Sequence, residues 1–165
     1  MRILLTGATG FIGSHVTRFL VREGHEVYGV IRNGMRRRPI TDLLPGCIKV
    51  EMDLNEGAPV REAVATIRPE CAIHLAWYAV PGKYWTAPEN LNCVAMSLSL
   101  ARALVDCGCR RLVAAGSCAE YDWNHEILSE ETTPTRPRTL YGVCKNALRS
   151  MLEAYCAEVA MEFVW

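Results

Sequence analysis

The chain has 165 residues, half of them hydrophobic, and its 18 basic residues balance its 18 acidic residues. This length supports one domain with a substantial core, and zero net charge gives no overall field that would attract nucleic acid or an anionic membrane. The N-terminus has one basic residue and a short apolar run, unlike a signal peptide or a membrane span, so we expect a cytoplasmic protein without nucleic-acid or membrane partners. Eight cysteines lack zinc-site spacing, so we expect reduced thiols, mostly in the core, and no metal site.

The first fourteen residues carry the strongest local pattern. An apolar run at 3–5 leads into Gly7, Gly10 and Gly13, and an amphipathic run follows at 11–21. This order predicts a strand, a tight turn and a helix, which together cradle a phosphate group at the helix N-terminus. Gly7 would permit a positive φ, Gly10 would let a pyrophosphate approach the backbone, and Gly13 would let the helix pack closely. The alternative is an ordinary glycine-rich turn.

A second predicted strand, at 25–31, completes a β-α-β unit and ends at Ile31-Arg32-Asn33. In dinucleotide-binding folds this position usually carries an acidic residue that binds the ribose 2′-hydroxyl of NAD. A guanidinium there favours a 2′-phosphate, so the sequence predicts NADP, with NAD as the alternative. Arg32 could instead be a solvated loop residue, as the nearby Arg36–Arg38 run suggests.

The remaining segments continue the alternation of strands and helices. The patterns predict a loop or short helical turn at 39–46, strands at 47–52, 71–76 and 110–116, helices at 60–67, 89–107 and 139–161, and a sixth strand beginning at 163–165. We therefore expect a doubly wound α/β (Rossmann) fold with a parallel sheet in the order 3-2-1-4-5, extended by strand 6. His74 lies mid-strand and is predicted to be a core group rather than a ligand. The aromatic-rich segment 77–88 follows the fourth strand, at the sheet edge where ligands bind.

Several motifs together resemble the extended short-chain dehydrogenase/reductase family, the NAD-dependent epimerase/dehydratases of nucleotide sugars. These are TGATGFIG, HLAWYA, Asn92, Ser117 and Tyr141-x-x-x-Lys145, in that order, and the resemblance covers the whole chain. It implies a catalytic set of Ser117, Tyr141 and Lys145, with Asn92 supporting the lysine. The cofactor-binding residues that we expect are Gly7, Gly10, Phe11, Ile12, Gly13, Arg32, Asp53, Leu54, Leu75, Ala76, Asn92, Tyr141 and Lys145, with Asp53 and Leu54 at the adenine.

These roles imply a specific chemistry. Hydride would move between a carbon of a nucleotide-linked sugar and the nicotinamide, while Tyr141 exchanges the matching hydroxyl proton. A phenol pKa near 10 must then fall by about three units, and a lysine ammonium about 4 Å away supplies a similar free energy. Ser117 would align the same substrate oxygen. The alternative is that Tyr141 and Lys145 are an exposed helix pair without a chemical role.

The sequence departs from the family pattern in two ways that bear on the expected activity. Family members continue for well over a hundred residues, so residues 1–165 are expected to be a Rossmann domain that is incomplete at its C-terminal end and lacks the substrate domain. We therefore expect a homo-oligomer or a poorly stable monomer with negligible turnover; the alternative function is a non-catalytic dinucleotide-binding module or an inactive fragment.

The second departure concerns the segment from Ser117 to Tyr121. Ala119 occupies the position of the dehydratases' glutamate, and Glu120 is one residue away, on the opposite side of an extended segment. We therefore expect a 4-epimerase or 4-ketoreductase rather than a dehydratase. Cys118 could be a thiol acid or base, although a packed bystander is the simpler interpretation.

Overall fold

The computed structural model of the chain describes residues 1–32 and 45–165. The Arg36–Arg38 run and most of the predicted loop at 39–46 lie outside the described residues. The strands are β1 (Arg2–Thr6), β2 (Glu26–Ile31), β3 (Ile48–Glu51), β4 (Cys71–His74), β5 (Arg111–Ala114) and β6 (Glu162–Val164). The helices are α1 (Phe11–Arg22), α2 (Gly57–Ile67), α3 (Glu89–Asp106) and α4 (Leu140–Glu158), with a 3₁₀ turn at Cys118–Glu120.

All six strands pair in parallel in the order β3-β2-β1-β4-β5-β6. This confirms the predicted Rossmann-like sheet, including its sixth strand. Strand β1 lies at the centre, where Leu4 pairs with Tyr28 on one side and Ala72 on the other. Because the strand order reverses beside β1, the loops after β1 and β4 leave a crevice at the carboxyl edge of the sheet.

The two faces of the sheet bury separate sets of apolar side chains. On one face, Leu4 packs with side chains from α2, α3 and α4, among them Val64, Leu104 and Leu148. On the other, Leu5 packs beside α1. Leu4 and Leu5 are both fully buried because successive strand residues point to opposite faces of a sheet that is covered on both sides. Burying each such leucine contributes roughly 1.5–3 kcal/mol.

The strands β4 and β5 end earlier than the sequence predicts. Strand β4 ends at His74 because the Ala76 N–H donates to the Thr6 side chain (3.2 Å) instead of continuing the ladder. Strand β5 ends at Ala114, and the next carbonyl, that of Ala115, accepts a hydrogen bond from the Lys145 side chain. After one further backbone bond each, from Leu75 to Thr6 and from Ala115 to His74, the chain at this edge bonds to side chains instead of continuing the ladder.

The last helix also differs from its predicted bounds. Thr139 is its N-cap, and its hydroxyl accepts the Gly142 N–H at 3.1 Å. The helix ends at Glu158 rather than at residue 161, because Ala160 has a φ of 54° and turns the chain into β6. A left-handed residue cannot continue a right-handed helix.

The eight cysteines are free thiols, and burial raises the pKa of seven of them. The eighth, Cys118, is exposed, so the expectation that it packs as a bystander is wrong. Among the described residues, none of the helices has the length and apolar character needed to cross a bilayer.

Candidate functional site

A cavity of about 580 Å³ opens at the carboxyl edge of β1, β2, β3 and β4. It brings together every residue of the predicted cofactor set except Tyr141 and Lys145. These residues are Gly7, Gly10, Phe11, Ile12, Gly13, Arg32, Asp53, Leu54, Leu75, Ala76 and Asn92. The cavity thus lies at the crevice that the strand order creates.

The glycine turn forms the floor of this cavity. Gly7 has a φ of +72°, and a Cβ there would lie 2.9 Å from the backbone nitrogen of Ala76. A Cβ at Gly13 would overlap the Gly7 carbonyl oxygen, so only glycine lets α1 approach the turn this closely. Gly10 caps α1 without a side-chain hydrogen bond to the first turn. The N-terminal end of the helix therefore presents its partial positive charge to the cavity.

Arg32 and Asp53 bring opposite charges to one side of the cavity. The Asp53 carboxylate accepts hydrogen bonds from the backbone and side-chain nitrogens of Asn55, at 3.0 and 2.8 Å. These bonds, together with the Arg32 charge, lower the pKa of Asp53. The site therefore carries a carboxylate as well as the guanidinium from which the 2′-phosphate preference was predicted.

Lys145 projects from α4 towards the cavity wall. Its ammonium donates to the Ala115 carbonyl oxygen at 2.6 Å and lies 3.9 Å from the centroid of the Trp77 ring. Both Ala115 and Trp77 line the cavity. Lys145 is only 5% exposed, and burial lowers its pKa to about 8, although Glu120 opposes the shift. The lysine is thus a desolvated cation at the edge of the candidate cofactor site.

Tyr141 lies half-buried among aromatic rings at the start of α4. Its ring makes edge contacts with Trp77, Tyr84 and Trp85, and its backbone N–H donates to the Trp85 carbonyl at 3.1 Å. Burial raises the pKa of Tyr141, while hydrogen bonding with Ser117 opposes the shift. The expected lowering of the phenol pKa is therefore not seen, since the Lys145 ammonium points at Ala115 and Trp77.

Ser117 begins the 3₁₀ turn, which replaces the extended segment expected there. Its hydroxyl accepts the Ala119 N–H at 3.2 Å, and the Glu120 carboxylate accepts the Ser117 N–H at 2.7 Å. Glu120 is buried and also accepts the indole N–H of Trp165. Its carboxylate is therefore used to hold the turn and the last strand together.

His74 bridges β1 and α3 beneath the site. Its ring nitrogens lie 2.7 Å from the Thr6 hydroxyl oxygen and 2.8 Å from the Ser97 hydroxyl oxygen. Ser97 donates its proton to the Cys93 carbonyl (2.6 Å), so it accepts from Nε2–H of His74, and Nδ1 accepts from Thr6. This arrangement needs a neutral ring, and burial lowers the pKa of His74 to about 3. The prediction that His74 is a satisfied core group is confirmed.

Sequence reasoning missed two residues at the site. Trp77 lies in the HLAWYA motif and in the aromatic loop, but the sequence assigns it no role, and its contact with Lys145 has no local signal because the two residues are far apart in the chain. Asn90 is fully buried, and its side chain accepts the Trp77 indole N–H at 2.8 Å. Asn92, which was expected to support Lys145, lines the cavity instead.

The chain is similar to a family of known proteins and to several individual enzymes. The model of the NAD dependent epimerase/dehydratase family matches residues 3–165. A dTDP-6-deoxy-L-talose 4-dehydrogenase (NAD(+)) of Aggregatibacter actinomycetemcomitans is 28% identical, over 92% of this chain and 54% of the relative. A probable UDP-glucuronate 4-epimerase of Rhizobium meliloti is 31% identical, over 94% of this chain and 49% of the relative.

Solved structures agree with the fold. A UDP-glucose 4-epimerase of Thermus thermophilus in complex with NAD superposes with a TM-score of 0.80 at 27% identity, covering 99% of this chain and 53% of that one. The chain spans about half the length of the curated relatives that it matches. Because the family model matches nearly its whole length, the chain belongs to the NAD dependent epimerase/dehydratase family.

Proposed function

We propose that the cavity binds a nicotinamide dinucleotide and that Ser117, Tyr141 and Lys145 then act on a nucleotide-linked sugar as a 4-epimerase or 4-ketoreductase. The main support for this proposal is the extent of the cavity. The cavity that begins at the glycine turn extends to Ala115, whose carbonyl holds the Lys145 ammonium at 2.6 Å. A dinucleotide with its pyrophosphate at the N-terminus of α1 would then reach towards the catalytic set.

The residues present suit such a ligand. The turn at Gly7, Gly10 and Gly13 brings backbone without Cβ atoms to the cavity. The talose 4-dehydrogenase carries NAD(+) in its name, and the Thermus thermophilus structure is a complex with NAD. When bound, the dinucleotide supplies the hydride chemistry. Tyr141 exchanges the proton of the sugar hydroxyl, and Ser117 hydrogen-bonds the same oxygen and aligns it.

The raised pKa of Tyr141 determines in which direction its phenol can transfer the proton. The raised pKa of the phenol keeps Tyr141 protonated at neutral pH, which suits donation to a keto sugar. Acceptance of a proton from a sugar hydroxyl requires additional positive charge nearby, and an oxidised nicotinamide ring carries one. The direction of the reaction is thereby coupled to the redox state of the dinucleotide.

Arg32 carries the finer proposal that NADP is preferred to NAD. Its exposed guanidinium lines the cavity and can pair with a 2′-phosphate. Asp53 acts in the opposite direction because it repels a phosphate and accepts a hydrogen bond from a ribose hydroxyl. The preference therefore depends on which of these two side chains contacts the ribose.

Calorimetric titration with NADH and NADPH tests the proposal. Gly10→Ala adds a Cβ in the lining of the cavity, 3.2 Å from the Gly7 carbonyl oxygen, so it crowds the turn where the pyrophosphate is proposed to bind, and we expect it to weaken binding at least tenfold. Gly57→Ala is the matched control, because a Cβ there meets only an Arg61 side-chain atom at 3.6 Å. Absence of binding by the unaltered chain, or equal effects of the two variants, would refute the site. Tight binding without turnover of any nucleotide sugar would instead support a non-catalytic dinucleotide-binding module.

A further inference from the structure

Trp77 contacts both members of the candidate proton-transfer pair. The Lys145 ammonium lies 3.9 Å from its ring centroid, and the Tyr141 ring meets it edge-on, with 6.2 Å between centroids. Both separations are within the range of favourable cation–π and aromatic contacts. Trp77 also lines the cavity, so it links this pair to the candidate cofactor site.

The π face of Trp77 contacts the ammonium of Lys145, which is buried away from water. Lys145 has three N–H donors, and the Ala115 carbonyl takes one of them at 2.6 Å. With the side chain 5% exposed, little solvent can stabilise the charge. The Trp165 ring lies further away, with its centroid 5.6 Å from the ammonium. The Trp77 ring is thus the nearest π face to the Lys145 charge.

Asn90 fixes the orientation of the Trp77 ring. Its side-chain oxygen accepts the indole N–H at 2.8 Å, and its side-chain nitrogen donates to the carbonyls of Tyr84 and Ala87, at 2.7 and 2.8 Å. The two donor bonds determine which end of the amide faces Trp77, because carbonyl oxygens only accept. Asn90 is 0% exposed, so water does not compete for these bonds.

We propose that Trp77 is a positioning residue, which holds the Lys145 ammonium and the Tyr141 ring in their relative places and is itself fixed by Asn90. The inference rests on the proposed function, since it assigns Trp77 a role in that proton-transfer pair. It predicts that the ring face acts on Lys145 directly, whereas the indole N–H bond to Asn90 keeps the ring in place. A phenyl ring, which keeps a π face but loses that bond, should therefore preserve part of the effect on Lys145, whereas an aliphatic side chain should preserve none.

The small number of lysines makes a direct test practical. The chain contains three, Lys49, Lys83 and Lys145, so selective ¹³C labelling of lysine gives three ε-carbon signals, assignable by Lys→Arg variants. In the unaltered chain, we expect the Lys145 ε-protons to be shifted upfield by the Trp77 ring current, unlike those of the other two lysines. This measurement needs no Trp77 variant and stands even where such a variant fails to fold.

The variants then test the positioning role. Trp77→Leu should lower the Lys145 pKa, relative to Trp77→Phe, by about half to one and a half units through loss of the π face. Trp123→Leu is the matched control, because the Trp123 ring contacts Trp85 and should leave the Lys145 pKa unchanged. Glu120 and Cys93, which also act on the Lys145 pKa, are the same in every variant.

Two results would overturn the inference. One is a Lys145 ε-proton shift in the unaltered chain equal to those of Lys49 and Lys83. The other is a Lys145 pKa in Trp77→Leu that equals or exceeds that in Trp77→Phe. Calorimetry with NADH and NADPH on the same samples separates the two proposals. Dinucleotide binding with an unaffected Lys145 contradicts the role of Trp77 alone, whereas an affected Lys145 without binding contradicts the proposed function.

Discussion

His74 should make the stability of this protein depend on pH, because the folded chain holds its ring neutral. The imidazole bridges the Thr6 and Ser97 hydroxyls, and Nδ1 has no proton to donate in this arrangement. Protonation would turn Nδ1 into a donor and remove its bond with the Thr6 proton. Since Thr6 also receives the Ala76 N–H, the disturbance would reach the cavity wall.

The size of the effect follows from the pKa. Burial, with a smaller contribution from the Lys145 charge, lowers the pKa of His74 from 6.5 to about 3. Between these values the unfolded chain binds a proton that the folded chain does not, so this contribution to stability is complete above pH 6.5 and is lost as the pH falls towards 3. At about 1.36 kcal/mol per unit, the loss is about 2 kcal/mol at pH 5 and on the order of 5 kcal/mol in total.

Urea unfolding at pH 7.5 and pH 5 measures this loss. His74→Gln cannot titrate and keeps a donor for Ser97, so we expect its free energy of unfolding to fall by about 2 kcal/mol less than that of the unaltered chain. His125→Gln removes an exposed histidine and should behave as the unaltered chain does. The reasoning would be refuted if His74→Gln lost as much stability between the two pH values as the unaltered chain.

Three further predictions concern the cofactor, the chemistry and a helix cap. NADPH should bind more tightly than NADH, and Arg32→Ala should weaken NADPH binding by roughly 1.5–3 kcal/mol while changing NADH binding little; calorimetry showing equal losses would assign Arg32 a general structural role. Tyr141→Phe should lower turnover of a nucleotide-linked sugar by about 10²–10⁴-fold with dinucleotide affinity retained, and near-normal turnover would exclude Tyr141 as the proton donor. Thr139→Ala should cost about 1 kcal/mol in urea unfolding by removing the cap of α4, whereas Thr66→Ala, at an exposed position in the last turn of α2, should cost less; equal losses would contradict the cap.

The sheet could be predicted from sequence because its signals are local. The apolar run at 3–5 and the strand predicted at 25–31 lie within one residue of β1 and β2 at each end, because an apolar run of strand length is a local signal. The order of the strands was predictable because the glycine motif after β1, together with the alternation of strands and helices, is typical of the dinucleotide-binding order 3-2-1-4-5. Gly7 was likewise predictable, because its positive φ is a property of the turn itself.

The environment of the proposed catalytic set was less predictable because it is made by contacts between distant segments. The aromatic loop, α3 and α4 meet at Trp77, Asn90 and Lys145, and no periodicity links these positions. The electrostatic argument for Tyr141 assumed that the Lys145 ammonium faces the phenol. In the structure, that ammonium bonds to Ala115, so burial dominates the phenol pKa. The 3₁₀ turn at 118–120 was missed because the capping interaction between Ser117 and Glu120 spans only three residues.

The proposed function requires the cavity between the glycine turn and Lys145 to hold a nicotinamide dinucleotide. Crystal structures of the chain grown with NADPH and with NADH would show whether it does. We expect the pyrophosphate at the N-terminus of α1, beside Gly10 and Gly13, and the nicotinamide at the end of the cavity near Ala115 and Lys145. A dinucleotide bound elsewhere, or with its nicotinamide directed away from Tyr141 and Lys145, would contradict it.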